Sequence, residues 1–173
     1  PLYSRPSIQL GTLKAYLRAA CPGVPVDAQH VYLKLAAAIG YKLYHAISER
    51  TWLAETVYAA LLYPERMEAL EMLFQREAGP QSILRKTGLK KIAAQVKKTT
   101  DRLIDSRRWE TYTLVGFSVS LCQLTSSLYF IRRLKQRWPD LMMVIGGSTF
   151  SGTAAPAFFE WFSDCLLYTS PSP

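Results

Sequence analysis

Between residues 113 and 149 two short apolar runs flank one amphipathic stretch, and this pattern constrains the fold more than any other in the chain. The first run, Thr113-Leu-Val-Gly-Phe-Ser-Val119, has no polar alternation, as expected of a parallel strand covered on both faces. Ser120-Leu-Cys-Gln123 then has the hydroxyl-to-amide spacing of a capping box. The helix it opens carries Leu121, Leu124, Leu128, Ile131 and Leu134 on one face, and Pro139 ends it. Leu141 to Ile145 is a second buried strand that runs into Gly146-Gly147-Ser148-Thr149, and Ala154 to Phe162 reads as a short helix. Strand, helix, strand and helix with short joints predict a right-handed βαβ unit of an open parallel sheet. Ligands of such sheets sit outside the carboxyl ends of the strands. The candidate binding residues are therefore Ser118, Val119, Ser120 and Leu121 after the first strand, and Gly146, Gly147, Ser148 and Thr149 after the second.

The preceding hundred or so residues read mostly as helix. Ser7 is placed to cap a helix with Ile8, Leu13 and Leu17, which Pro22-Gly23 ends. Val26 to Tyr32, with β-branched and aromatic residues, reads as a strand. From Leu33 the spacing of Leu35, Ala38, Ile39, Leu43 and Ile47 is helical; Thr51 to Leu62 and Glu65 to Ala78 are further helices, separated at Pro64 and ended by Gly79-Pro80. Nine of the 21 Lys and Arg residues lie between Arg85 and Arg108, where Leu89, Ile92, Val96, Leu103 and Ile104 keep helical spacing. This is an amphipathic helix with one basic face, either simply solvated or turned toward an anionic partner. No aromatic residue interrupts it to stack on bases, so nucleic acid is not an expected partner.

Several classes are set aside. Cys21, Cys122 and Cys165 are too scattered for a disulfide framework or an iron–sulfur site, and they point to a reducing, cytoplasmic location. Segments 114–131 and 141–159 approach the ~20 residues that span a bilayer. The first carries several Ser, Thr and Gln residues, the second Gly146-Gly147, Gly152 and Pro156, so no membrane contact is expected. At 173 residues the chain suits one domain.

Gly146-Gly147 removes two side chains where a strand becomes a loop, which serves either a φ > 0 turn or close approach of a flat ligand. The hydroxyls of Ser118, Ser120, Ser148 and Thr149 complete a small, uncharged rim with no cationic clamp for phosphate. Together, Leu114-Val-Gly-Phe-Ser-Val-Ser-Leu121, the helix, and Met143-Val-Ile-Gly-Gly-Ser-Thr149 resemble the cobalamin-binding domain. In that family a Ser-containing loop and a Gly-Gly loop line the slot for the cofactor's nucleotide tail. The resemblance puts Ser118, Val119 and Ser120 in the first loop and Gly146, Gly147 and Ser148 in the second, with the tail entering between them. Methionine-synthase-like members also carry Asp-x-His-x-x-Gly, whose His ligates cobalt. Here Asp27-Ala-Gln-His30 has the wrong spacing and His45 lies in a helical run, so both histidines are expected to be structural and the cobalamin to lack a protein imidazole.

That lack is shared by cobalamin-dependent radical-SAM proteins. Pro6-Ser-Ile-Gln-Leu-Gly-Thr-Leu-Lys-Ala-Tyr-Leu17, Ile39-Gly-Tyr-Lys-Leu-Tyr44 and Val115-Gly-Phe-Ser-Val-Ser-Leu-Cys-Gln-Leu124 look like the start of the maturases that modify ribosomally made peptides. The similarity covers about residues 1–164. It implies a Rossmann-like (flavodoxin-like) α/β fold, an open parallel sheet missing its first and last strands, with a helical elaboration at about 48–108. It also implies a radical-SAM barrel beyond Asp164 with S-adenosylmethionine and an iron–sulfur cluster, a peptide substrate, and methyl transfer as the reaction. No catalytic residue is expected in the chain itself. Composition changes abruptly at Cys165, and 165–173 is expected to be a non-native or disordered tail. The alternative reading is a flavodoxin-like nucleotide-binding or regulatory module without cobalamin.

Overall fold

Helical spacing of apolar residues organises the front of the chain. The computed structural model describes residues 3–4, 6–80, 82–120, 122–147, 149 and 167–168. Ser7 Oγ accepts the Leu10 N–H at 3.3 Å and starts α1 (Ile8–Ala20), none of whose residues is buried. The strand expected at 26–32 is not formed. Residues 25–30 have no regular structure, and α2 spans Val31–Ile39. Val31, Leu35 and Ile39 recur every four residues, and burying that helical face outweighs the β-propensity of Val31 and Tyr32. Segment 25–30 is held instead by Asp27, whose Oδ2 accepts from Gln29 (2.7 Å), Arg107 (3.0 Å) and the Tyr112 hydroxyl (3.1 Å).

Gly40 separates α2 from α3 (Tyr41–Ser48). α4 (Thr51–Leu62) follows, then a 3-10 turn from Pro64, α5 (Met67–Ala78), the short α6 (Ile83–Thr87) and the basic α7 (Leu89–Asp105). The βαβ unit comes last: β1 (Leu114–Ser118), α8 (Leu124–Arg137) and β2 (Met142–Gly146). β1 and β2 pair in parallel, in register from Leu114 opposite Met142 to Ser118 opposite Gly146. β3 (Leu167–Tyr168) adds in parallel to the other side of β2, so two residues of the expected tail belong to the sheet, which runs β1-β2-β3. The helix expected at 154–162 and the rest of 165–173 lie outside the described residues. The chain is a helix-rich α/β protein with a small parallel sheet.

Two apolar cores share α8. Leu53, Val57, Phe74, Leu89, Ile92 and Val96 form the first, which Leu128 and Tyr129 of α8 join. Met143, Ile145 and Val119 form the second with Phe130, Ile131 and Leu134 of α8 and Ile104 of α7. Between the cores the Tyr58 hydroxyl meets Thr100 Oγ1 at 2.8 Å, which satisfies both buried groups.

Asp101 ties α7 to α8: it accepts from Lys97 at 2.6 Å, Arg133 at 3.2 Å and the Tyr129 hydroxyl at 3.3 Å. Burial alone would raise its carboxyl. The Lys97 hydrogen bond, the charges of Arg133 and Lys97, and the Tyr129 hydroxyl outweigh burial and hold it below the ordinary carboxylate value. A depressed folded pKa contributes stability that is present above the unfolded value of about 3.9 and is lost as pH falls through the folded one. Asp101→Asn is therefore expected to lower the urea midpoint at neutral pH, with the gap from wild type closing below about pH 4. A gap independent of pH would contradict this account.

Candidate functional site

β1 and β2 end side by side, so their turns share one rim. The Val119 N–H donates to the Gly146 carbonyl at 2.7 Å, and the Thr149 N–H donates back to the Val119 carbonyl at 3.5 Å. Ser118, Val119, Ser120, Gly146, Gly147 and Thr149 are thus brought together as expected, while Leu121 and Ser148 lie outside the described residues. Ser118, Ser120 and Thr149 are half-buried, and Val119 is fully buried beneath them.

The glycine question has a geometric answer. Gly147 has φ +117°, and a Cβ there would lie 2.1 Å from the Val119 carbonyl oxygen and 2.8 Å from its nitrogen. What approaches Gly147 closely is the neighbouring turn. The two backbones are in direct contact at this point, so no gap separates Gly147 from Val119. The outer edge of β1 pairs with no strand among the described residues.

The start of α8 also differs from the expectation. Only the return half of the capping box forms: Gln123 Oε1 accepts the Ser120 N–H at 3.2 Å. The helix starts at Leu124, and its first N–H groups are capped from another element. Glu55 of α4 accepts from Leu124 N–H at 3.1 Å, Thr125 N–H at 2.8 Å and Thr125 Oγ1 at 2.6 Å. A carboxylate at a helix N-terminus both satisfies orphan donors and complements the positive end of the helix dipole. Sequence reasoning missed Glu55, although one signal was available: it is the single charged residue in the otherwise apolar stretch Thr51–Leu62. Cys122, in the turn between, takes φ 69°, a left-handed conformation uncommon outside glycine.

The rim thus offers hydroxyls and peptide groups, and the nearby Glu55 carboxylate is already engaged by α8. Neither histidine belongs to it by sequence or by hydrogen bond. His30 precedes α2 with Nδ1 buried and unpaired, and His45 on α3 faces Glu49 at 3.5 Å on the surface. Among the described residues no group of three His, Cys, Asp or Glu side chains is placed to hold a metal ion. A cavity of about 370 Å³ between the end of α4 and α8, lined by Leu62, Tyr63, Leu128, Ile131, Arg132 and Lys135, includes none of the rim residues.

Fold and rim together define a helix-rich α/β protein in which two parallel strands bring their carboxyl-end turns to one edge. No family model, no curated protein and no solved structure matches the chain. Among the described residues no helix is long and apolar enough to cross a membrane.

Two substitutions probe the rim's construction. Gly147→Ala meets both left-handed strain and a backbone clash, and is expected to destabilise by more than about 2 kcal/mol. Gly40→Ala has φ +92° and ψ 131° but nothing within 4 Å, so it carries strain alone, about 1–3 kcal/mol, and is expected to destabilise less than Gly147→Ala. Equal denaturation midpoints for the two variants would refute the close contact at Gly147. Removing the shared cap with Glu55→Ala is expected to cost about 1–2 kcal/mol in the same assay. No change would mean that solvent caps α8 equally well.

Proposed function

We propose that the protein binds cobalamin at the carboxyl rim of its parallel sheet, as the placing domain of a cobalamin-dependent radical-SAM protein with a Rossmann-like fold. The observation that carries this reading is the meeting of the Ser118-Val119-Ser120 turn and the Gly146-Gly147 turn on adjacent parallel strands. The resemblance that names cobalamin rests on these two turns. Small hydroxyls and peptide groups, with no charge left free by Glu55, suit an uncharged heterocycle better than a phosphate. On this reading the tail lies across the turns, since Val119 and Gly147 already touch, and runs toward the unpaired edge of β1 with Ser118 and Ser120 beneath it. No histidine takes part, so this chain contributes placement and exclusion of water while the cofactor supplies the difficult chemistry. By the same resemblance the partner is a radical-SAM barrel with S-adenosylmethionine and an iron–sulfur cluster, and the reaction is methyl transfer to a ribosomally made peptide in the cytoplasm.

The test is retention of hydroxocobalamin after desalting, followed by corrin absorbance. Wild type is expected to retain the cofactor. Ser120→Trp, which leaves the Gly147–Val119 contact intact, is expected to bind at least about tenfold more weakly, a loss of about 1.4 kcal/mol. No retention by wild-type protein overturns the reading, and equal retention by Ser120→Trp moves the site away from this rim.

A further inference from the structure

The positive charge of the chain is concentrated on one element. Residues 85–108 hold nine Lys and Arg against Asp101 and Asp105, a surplus of seven within a net charge of +8. Both acids are already engaged, Asp101 by Lys97 and Arg133, Asp105 by Arg137, and Arg107 pairs with Asp27. Lys90, Lys91, Lys98 and Arg102 of α7 are exposed and have no acidic partner among the described residues. At 3.6 residues per turn and 1.5 Å per residue, these four fall within an arc of about 120° and a length of about 18 Å. Leu89, Ile92, Val96 and Ile104 are buried on the opposite side, so the basic face is fixed outward. Ala94 and Gln95 lie exposed between the cations and keep the face smooth.

We propose that this face of α7 binds duplex nucleic acid through its phosphate backbone. A helical peptide partner needs apolar anchors, and the face has none beyond Ala94. A single strand needs aromatic platforms for its bases, and none interrupts 85–108. A duplex requires neither: phosphates are met by cations alone, and a major groove about 12 Å wide admits a helix of about 10–12 Å. The expectation that excluded nucleic acid rested on stacking, which a duplex does not use. With the four cations committed to phosphates and Gln95 the one other polar side chain among them, binding is largely independent of sequence. This inference does not depend on cobalamin.

The test is fluorescence anisotropy with a labelled duplex of about 20 base pairs at about 50 to 200 mM salt. Four phosphate contacts predict a log–log salt slope near about −3.6, a roughly 100-fold loss of affinity across that range. Lys91→Gln with Lys98→Gln and Arg102→Gln is expected to bring the slope to about −1, and Lys98→Gln alone to reduce it by about 0.9. Lys14→Gln with Arg18→Gln in α1, which removes two cations away from α7, serves as a control expected to leave the slope unchanged. Absent binding at low salt, a slope unmoved by the α7 variants, or equal affinity for a single strand, polyglutamate or anionic vesicles would each overturn the proposal.

Discussion

The carboxylate of Glu55 lies where the two halves of this protein join. α8 would otherwise begin with unpaired N–H groups on the border of two apolar cores, and such orphan donors are costly when water is excluded. Because the cap comes from α4, the helix that crosses the sheet cannot take up its place independently of the helical section. Arg132 strengthens the same joint from the far end of α4, donating to the Leu62 carbonyl at 3.3 Å. α8 then distributes its apolar residues to both sides, Leu128 and Tyr129 into the helical core and Ile131 and Leu134 into the sheet core. The helical section is thereby part of the rim's construction and not an appendage to it.

Two surfaces with opposite chemistry result. At the rim the backbone itself is the main resource. Gly147 lies against Val119, Val119 bonds to Gly146, and the small hydroxyl residues Ser118, Ser120 and Thr149 adjoin them. On α7 the side chains are the resource, because the helix buries one face completely and directs four cations from the other into water. The first surface suits an uncharged group recognised by shape and hydrogen bonds. The second suits extended negative charge recognised mainly by electrostatics.

Much of the fold was legible in local pattern. The two uninterrupted apolar runs became β1 and β2 to within a residue at each end, the Ser7 cap formed, and Thr51 to Leu62 is a helix with the expected bounds. Segment 26–32 shows where local pattern misleads. Val26, Val31 and Tyr32 favour strands locally, but packing Val31 and Leu35 under α7 decided for helix, and Asp27 fixed the remainder through side-chain bonds. The proposed cap at Ser120 failed for a related reason. The local spacing was present, and a carboxylate far away in sequence provided the stronger partner.

Local pattern alone carried most of the helices, the β1-α8-β2 unit and the clustering of the binding candidates after its two strands, though not the state of 26–32. Periodicity and turn chemistry act over a few residues and can be read there. Only the tertiary structure decided that Gly147 serves a backbone contact, that Glu55 closes α8, and that the acids of α7 are spent on internal pairs while four of its cations are not. Each of these depends on groups distant in sequence meeting within a few ångströms, and distance in space is the quantity that a linear pattern does not carry.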